Sequence, residues 1–140
     1  MADASLAKLL PQVRTIAREA GQIILRYYLD GIPAELKADG SPVTTADHAA
    51  EGVIMPALHH LTPDIPVISE ENHAAGLSAA VKQDFWLVDP LDGTRSFVDR
   101  TGEFTVNIGL VRGGVPVLGV IYAPVSGEMY AAAGPGTAGQ

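Results

Sequence analysis

The sequence of 140 residues contains no cysteine. This absence excludes disulfide bonds and zinc sites built from thiolates, although it leaves the redox compartment undefined. Basic residues are also scarce: nine lysines and arginines against sixteen aspartates and glutamates leave a formal net charge of −7. Because no lysine- or arginine-rich block is present, we expect no duplex nucleic-acid partner.

Long apolar runs are missing as well. No stretch reaches the roughly 18 consecutive apolar residues of a membrane-spanning helix, so we expect no transmembrane segment. The N-terminus lacks a basic region followed by a continuous apolar stretch, which argues against a signal peptide. We therefore expect a cytoplasmic protein, with peripheral association at an inner membrane left open. With 47% hydrophobic residues, the chain can form the packed core of one domain.

The first half of the sequence has the pattern of two helices. The first is amphipathic, because its apolar residues recur at spacings of three and four; they are Leu6, Leu9, Leu10, Val13, Ile16, Ala17, Ala20, Ile23, Ile24 and Tyr27. Pro11 either starts this helix or kinks it, and residues 30–33 end it. A short strand is predicted over 34–37. The second helix is predicted from Thr44 or Thr45 to Leu61.

The remaining sequence has the pattern of short strands. Apolar strands are predicted at 66–69 and 85–88, separated by a loop and a short helix at 72–82. A hairpin is predicted from 104–111 and 117–122, with its turn at Arg112-Gly113-Gly114, and a further strand at 128–132. The tail from Ala131 onward has no fold signal. The fold class is therefore a mixture of helices and strands, α/β or α+β.

Acidic residues stand at the ends of two predicted strands. Glu70 follows the first, and Asp89 and Asp92 follow the second. Ligands gather where strands end and loops converge. Clustered carboxylates are costly unless a cation compensates them, and an oxygen-only ligand set favours a hard ion such as Mg²⁺. The sequence thus predicts a magnesium site.

The segment from Asp89 to Thr94 carries further chemistry. Pro90 stiffens a turn that lets Asp89 and Asp92 face one pocket, and the Leu91 carbonyl can join them as a neutral ligand. Gly93-Thr94 follows directly, and a helix starting there would offer free N–H groups to a phosphate. Phosphoryl hydrolysis requires carboxylates that bind metal ions next to a site that binds an anion.

Each motif by itself also has a purely structural explanation. Asp-Pro-x-Asp-Gly alone forms a good turn, Glu70-Glu71 alone is usually a solvated pair, and Thr44-x-x-Asp47 alone is typical of helix capping. Trp86 is predicted in the core. The histidines have no metal-ligand spacing and are predicted at the surface or in caps; they are His48, His59, His60 and His73.

In combination, the segments 41–47, 66–71 and 86–94 resemble the Mg²⁺-dependent, lithium-sensitive phosphatases of the inositol monophosphatase superfamily. The third, Trp-Leu-Val-Asp-Pro-Leu-Asp-Gly-Thr, is highly specific. The resemblance extends from about residue 10 to 132. It implies a layered α-β sandwich of the inositol monophosphatase and sugar phosphatase type, whose N-terminal domain is a mixed, largely antiparallel sheet flanked by helices.

The resemblance assigns metal ligands and implies two or three Mg²⁺ ions, with Li⁺ as an inhibitor. Glu70 would bind metal and help orient the attacking water. Asp89 would bridge two metals, the Leu91 carbonyl would be a ligand, and Asp92 would bind the second metal.

The resemblance also assigns the substrate side of the site. Leu91, Asp92, Gly93 and Thr94 would contact the substrate, with the backbone N–H groups of the last two holding its phosphate. The Thr94 hydroxyl, paired with Asp47, would help activate the water, because a hydroxyl alone is too weak a base.

Within the superfamily, residues 102–108 and 116–124 look most like the 3′(2′),5′-bisphosphate nucleotidases. These enzymes convert adenosine 3′,5′-bisphosphate to AMP and phosphate, which removes a by-product of sulfate assimilation. Arg95-Ser96-Phe97 departs from the common basic-Glu-Phe pattern and keeps histidinol phosphate open as a substrate. Inositol monophosphate is the other alternative.

The resemblance further implies that residues 1–140 are an N-terminal metal-binding domain. Members of the superfamily are about twice as long, on a scale of roughly 100–200 residues per domain. Their C-terminal half adds another aspartate to the second metal, in a Trp-Asp context that this chain lacks. A homodimer is expected from sheet faces and edges left uncovered. The non-enzymatic alternative is an inactive metal-binding or dimer-forming remnant.

Overall fold

The computed structural model describes residues 2–30, 42–69, 84–99, 101–134 and 138–139. The strand predicted at 34–37 and the loop and helix predicted at 72–82 lie outside these ranges. So does Glu70.

Helix α1 spans Ala2–Asp30. Most of its predicted apolar stripe is buried, namely Leu6, Val13, Ile16, Ala17, Ala20 and Ile24. The other predicted residues, Leu9, Leu10, Ile23 and Tyr27, are half-buried, and Tyr28 is buried in place of Tyr27. The alternative prediction that the helix starts at Pro11 is wrong, since Pro11 lies inside α1. Proline removes the N–H that would bond to the carbonyl of Ala7. Because Ala7 and Pro11 are both exposed, water can replace the missing donor.

Helix α2 spans Pro42–Leu61 and packs against α1. It begins two or three residues earlier than predicted, because Pro42 fits the first helical position. An N–H at that position would have no acceptor within the helix, so proline loses no hydrogen bond there. Asp47 therefore lies in the second turn of α2 and not at its start. The helix ends at Leu61, as predicted, and the N–H of Thr62 bonds to the Leu58 carbonyl at 2.8 Å.

Within the described residues, six strands form one mixed sheet in sequence order. They are β1 Val67–Ser69, β2 Phe85–Asp92, β3 Thr105–Arg112, β4 Val115–Ala123, β5 Glu128–Ala133 and β6 Ala138–Gly139. Strands β1 and β2 are parallel, and every other neighbouring pair is antiparallel. A short helix, α3, spans Thr94–Asp99 between β2 and β3. The largely antiparallel sheet is confirmed, as is the β3–β4 hairpin with Gly113 and Gly114 in its turn.

The core lies between the helices and one face of the sheet. Alternate residues of the central strands point to this face and are buried with the apolar stripe of α1; they are Trp86, Val88, Val106, Ile108, Leu110, Leu118, Val120 and Tyr122. The prediction that Trp86 is a core residue is confirmed. On the opposite face, Ile68 and Phe85 form a smaller cluster with Leu87 and Val111.

Two sequence predictions about the strands are wrong. Strand β2 continues through Asp92, so the segment from Asp89 to Asp92 is part of the sheet and not a turn that follows it. The tail contributes β6, which pairs with β5 through Ala131 and Ala132. The two residues of β6, alanine and glycine, have little intrinsic strand preference, and the strand forms by pairing with the edge that β5 offers.

Three histidines are on the surface, as predicted. His48, His59 and His60 are exposed on α2, and His73 lies outside the described residues. None of the helices that the structure describes is long and apolar enough to cross a membrane.

Candidate metal and phosphate site

Asp89 and Asp92 lie on β2, separated by a bulge. Asp89 is opposite Asn107, and Asp92 is opposite Thr105, so three steps along β2 correspond to two steps along β3. In a regular strand, residues three apart point to opposite faces. The extra residue of a bulge reverses that alternation, and both acids consequently line the same cavity.

Strand β1 brings its C-terminal end to the same place. Ser69, the last residue of β1, is in register with Val88, which directly precedes Asp89. Because the two strands are parallel, their carboxyl ends point the same way, as in sheets that bind ligands beyond their strand ends. Glu70 itself is outside the described residues, and its role as a metal ligand stays a prediction.

Gly93 turns the chain from β2 into α3. Its φ of 94° is in the left-handed region, which glycine adopts without a steric penalty. A Cβ at this position would lie 3.2 Å from the Phe104 Cα. The Gly93 carbonyl accepts a hydrogen bond from the Phe97 N–H at 3.1 Å, which closes the first turn of α3. The prediction that a helix starts at Gly93-Thr94 is confirmed.

Three aromatic rings pack against one another next to the turn at Gly93. Tyr28, Phe97 and Phe104 are all buried, with ring centroids 4.8 to 5.5 Å apart. The contacts of Phe104 with the other two rings are edge-to-face, an arrangement that adds to the energy of burial. Phe97 belongs to α3 and Phe104 directly precedes β3, so the cluster fixes α3 against the sheet and against α1. Sequence reasoning missed Tyr28, whose only signal was its position one residue beyond the expected stripe.

Asn107 is a second residue that sequence reasoning missed. Its Nδ2 donates hydrogen bonds to Asp92 Oδ2 and to Thr105 Oγ1, both at 3.2 Å. The available signal was its position in a strand of apolar residues, where an amide needs a polar neighbour.

Helix α2 carries Asp47 and packs against α3. Asp47 is half-buried. The structure describes the backbone of Thr94 but not its side chain, so the predicted pair between the Thr94 hydroxyl and Asp47 stays a prediction.

The side chains at this site fit a hard divalent cation in part. Among the described ranges, no group of three or more His, Cys, Asp and Glu side chains is close enough to hold a metal. The two carboxylates of β2 nevertheless line one cavity, and Asn107 adds a neutral polar group beside them. The Leu91 side chain is buried at 3% exposure, which anchors the backbone between the acids. Carboxylate and carbonyl oxygens are the donors that Mg²⁺ prefers.

The cavity continues from the acids over the open face of the sheet. It has a volume of about 490 Å³, and its floor includes Gly109 and Gly119, which face each other across β3 and β4. These glycines present no side chain and so leave space above the sheet. The lining is polar at the Asp89 and Asp92 end and includes apolar residues such as Pro116 away from it.

Comparisons with known proteins identify the relatives of this chain. The model of the inositol monophosphatase family matches residues 5–138. A relative from Escherichia coli O157:H7, named 3′(2′),5′-bisphosphate nucleotidase CysQ, is 54% identical over 127 residues, which is 89% of this chain and 52% of the relative. The chain thus spans about half the length of such relatives.

Solved structures show the same fold. A CysQ structure from Bacteroides thetaiotaomicron superposes with a TM-score of 0.73 at 44% identity, over 88% of this chain and 45% of that one. An inositol monophosphatase from Anabaena (Nostoc) sp. PCC 7120 gives 0.75 at 29% identity, over 97% and 46%. The layered α-β fold expected from the resemblance is confirmed.

Proposed function

The chain belongs to the inositol monophosphatase family, and on that premise we propose that it is the metal-binding N-terminal domain of a Mg²⁺-dependent phosphomonoesterase. The proposed reaction is hydrolysis of the 3′-phosphate of adenosine 3′,5′-bisphosphate to AMP and phosphate. Such an activity removes a by-product of sulfate assimilation.

One observation carries the proposal most strongly. The bulge in β2 places Asp89 and Asp92 on one cavity, and the chain then turns at Gly93 directly into α3. A cation-binding pair of carboxylates and a stretch of backbone N–H groups are thereby adjacent within six residues. A phosphate ester carries negative charge that needs both kinds of partner.

Asp89, Asp92, the Leu91 carbonyl and Glu70 are the residues that would hold Mg²⁺. When bound, the cations would neutralise the phosphate and activate water for attack on phosphorus. Li⁺ is expected to inhibit. Two acids on one face of a sheet repel each other, so a bound cation would also stabilise the pair of carboxylates.

The substrate phosphate would contact the backbone N–H groups of Gly93 and Thr94. Asp47 would accept a hydrogen bond from the Thr94 hydroxyl, which would make that oxygen a better acceptor for a proton from water. The contact between α2 and α3 supports this pair, since Asp47 lies on the first of these helices and Thr94 on the second.

The nucleotide substrate is favoured over inositol monophosphate by the relatives. The two relatives named CysQ are 54% and 44% identical to this chain, and the first is named a 3′(2′),5′-bisphosphate nucleotidase, whereas the inositol monophosphatase from Anabaena is 29% identical. Histidinol phosphate remains the third substrate because of Arg95-Ser96-Phe97. A cytoplasmic location and a homodimer complete the proposal.

Phosphate release from the three substrates tests the substrate assignment. In a full-length protein that contains this chain, we expect the highest kcat/KM with adenosine 3′,5′-bisphosphate. Asp89→Asn should remove several kcal/mol of transition-state stabilisation, as loss of a metal ligand does. An unchanged rate in this variant would reject the mechanism, and a preference for another substrate would reject the nucleotidase assignment.

The 140-residue chain alone should have low or no turnover with adenosine 3′,5′-bisphosphate and Mg²⁺. It spans about half of its relatives, and substrate contacts from the other half would be missing. Robust activity of the chain alone would show that this half is sufficient. Metal binding without turnover in any longer version would instead favour the non-enzymatic remnant.

A further inference from the structure

Asn107 connects the two strands that carry the candidate site. Its amide nitrogen lies 3.2 Å from Asp92 Oδ2 and 3.2 Å from Thr105 Oγ1. The backbone of Asn107 already pairs with its neighbours on β2 and β4, so the sheet does not need these side-chain bonds.

The register explains why this side chain reaches the acids. Asn107 is directly opposite Asp89, and Thr105, two residues away on the same face of β3, is opposite Asp92. Side chains directly opposite in an antiparallel pair are near neighbours, and diagonal ones remain within reach of long side chains. Asn107 therefore stands beside one acid and bonds to the other, and all three line the same cavity.

The chemistry of an amide suits this position. An ionised carboxylate can only accept hydrogen bonds, so the amide must present its NH₂ group to Asp92. Thr105 accepts a bond from the same nitrogen, which limits rotation of the amide. A lysine would compete with a cation for the carboxylate, and an aliphatic side chain would leave Asp92 free to rotate on an exposed surface.

We propose that Asn107 is a positioning residue for Asp92, with Thr105 orienting its amide. This inference rests on the proposed function, since it assigns Asn107 a role toward the same metal site. The Asn107 amide occupies one carboxylate oxygen of Asp92 and thereby restricts the carboxylate to orientations beside Asp89. Groups that orient metal ligands typically contribute 10- to 100-fold in metal affinity.

The test is Mn²⁺ binding by the whole 140-residue chain, measured by the electron paramagnetic resonance of free Mn²⁺. Asn107→Ala should weaken binding by about 10-fold, the lower end of that range because Asp92 is exposed. Thr105→Val should weaken it by a smaller factor, because it leaves the Asn107–Asp92 bond in place. Val111→Ala is the matched control: it truncates a side chain on the same face of β3, remote from the acids, and should change the affinity less than two-fold.

Unfolding of each variant, followed by the fluorescence of buried Trp86, separates positioning from a structural role. If Asn107 is a positioning residue, the Asn107→Ala variant has a lower metal affinity, while the unfolding midpoint of that variant stays at or above the midpoint of Val111→Ala. The Asp92→Asn variant separates a failure of the metal site from a failure of the role of Asn107. If Asp92→Asn binds Mn²⁺ normally, the metal site itself is rejected; if it binds weakly while Asn107→Ala binds normally, only the role of Asn107 is rejected.

Discussion

Trp86 and Thr62 join β2 to the end of α2 through one hydrogen bond, in which the indole Nε1 donates to Thr62 Oγ1 at 2.8 Å. The Thr62 hydroxyl in turn donates to the Leu58 carbonyl at 3.1 Å. Trp86 is completely buried, so its indole N–H needs an acceptor within the protein, and Thr62, the first residue after α2, supplies it. The strand that carries Asp89 and Asp92 is thereby fixed to the helix that carries Asp47.

Thr62→Val should destabilise the fold by about 1 to 3 kcal/mol, because it leaves the buried Trp86 N–H without an acceptor. Urea unfolding followed by Trp86 fluorescence measures the change. Thr15→Val is the matched control, since its hydroxyl bonds to the Pro11 carbonyl on an exposed part of α1. Equal losses in both variants would show that the hydrogen bond to Trp86 contributes nothing special.

Gly21→Ala should destabilise the fold by about 1 to 3 kcal/mol through overpacking. A Cβ on Gly21 would overlap the ring of Tyr122 and lie 3.2 Å from Pro124, where α1 crosses β4. Gly52→Ala on α2 is the control, because nothing lies within 4 Å of its Cβ position. That change should stabilise the helix by about 0.5 to 1 kcal/mol. Thermal unfolding of both variants gives the comparison, and a stable Gly21→Ala would contradict the close helix–sheet contact.

Gly93→Ala should be more damaging than Gly114→Ala. Both glycines have positive φ, 94° and 81°, and alanine in the left-handed region costs roughly 1 to 2 kcal/mol. Only Gly93 also faces a backbone atom, the Phe104 Cα at 3.2 Å, whereas Gly114 has open space. Unfolding measurements should show the larger loss at Gly93. Mn²⁺ affinity should fall in that variant alone, and equal affinities in the two would contradict a role of the Gly93 turn in the site.

Self-association should depend on the open face of the sheet. Ile121 and Tyr130 are paired across β4 and β5, and they are 45% and 51% exposed. Exposed apolar surface of this kind promotes association, so sedimentation should show a dimer. Ile121→Lys should shift the equilibrium toward monomer. Val125→Lys changes a similarly exposed residue in the turn between β4 and β5 and should not; a monomer in the unsubstituted chain would refute the expectation.

The outline of the fold could be predicted because its signals are local. The three-four spacing of apolar residues defined α1, and Arg112-Gly113-Gly114 marked the turn of the β3–β4 hairpin. The end of α2 was predictable for the same reason. The start of α2 and the strand β6 were not, because a proline can open a helix as well as prevent one, and a weak strand forms only where an edge is available.

The sequence by itself determined which chemical groups are present and their order: two aspartates three residues apart, followed by glycine and threonine. It could not determine that both aspartates face one cavity, because that depends on one extra residue in the pairing of β2 with β3. Nor could it show that Asn107 reaches Asp92. Both are consequences of register, which is set by hydrogen bonds between distant segments and by which face of the sheet the helices bury.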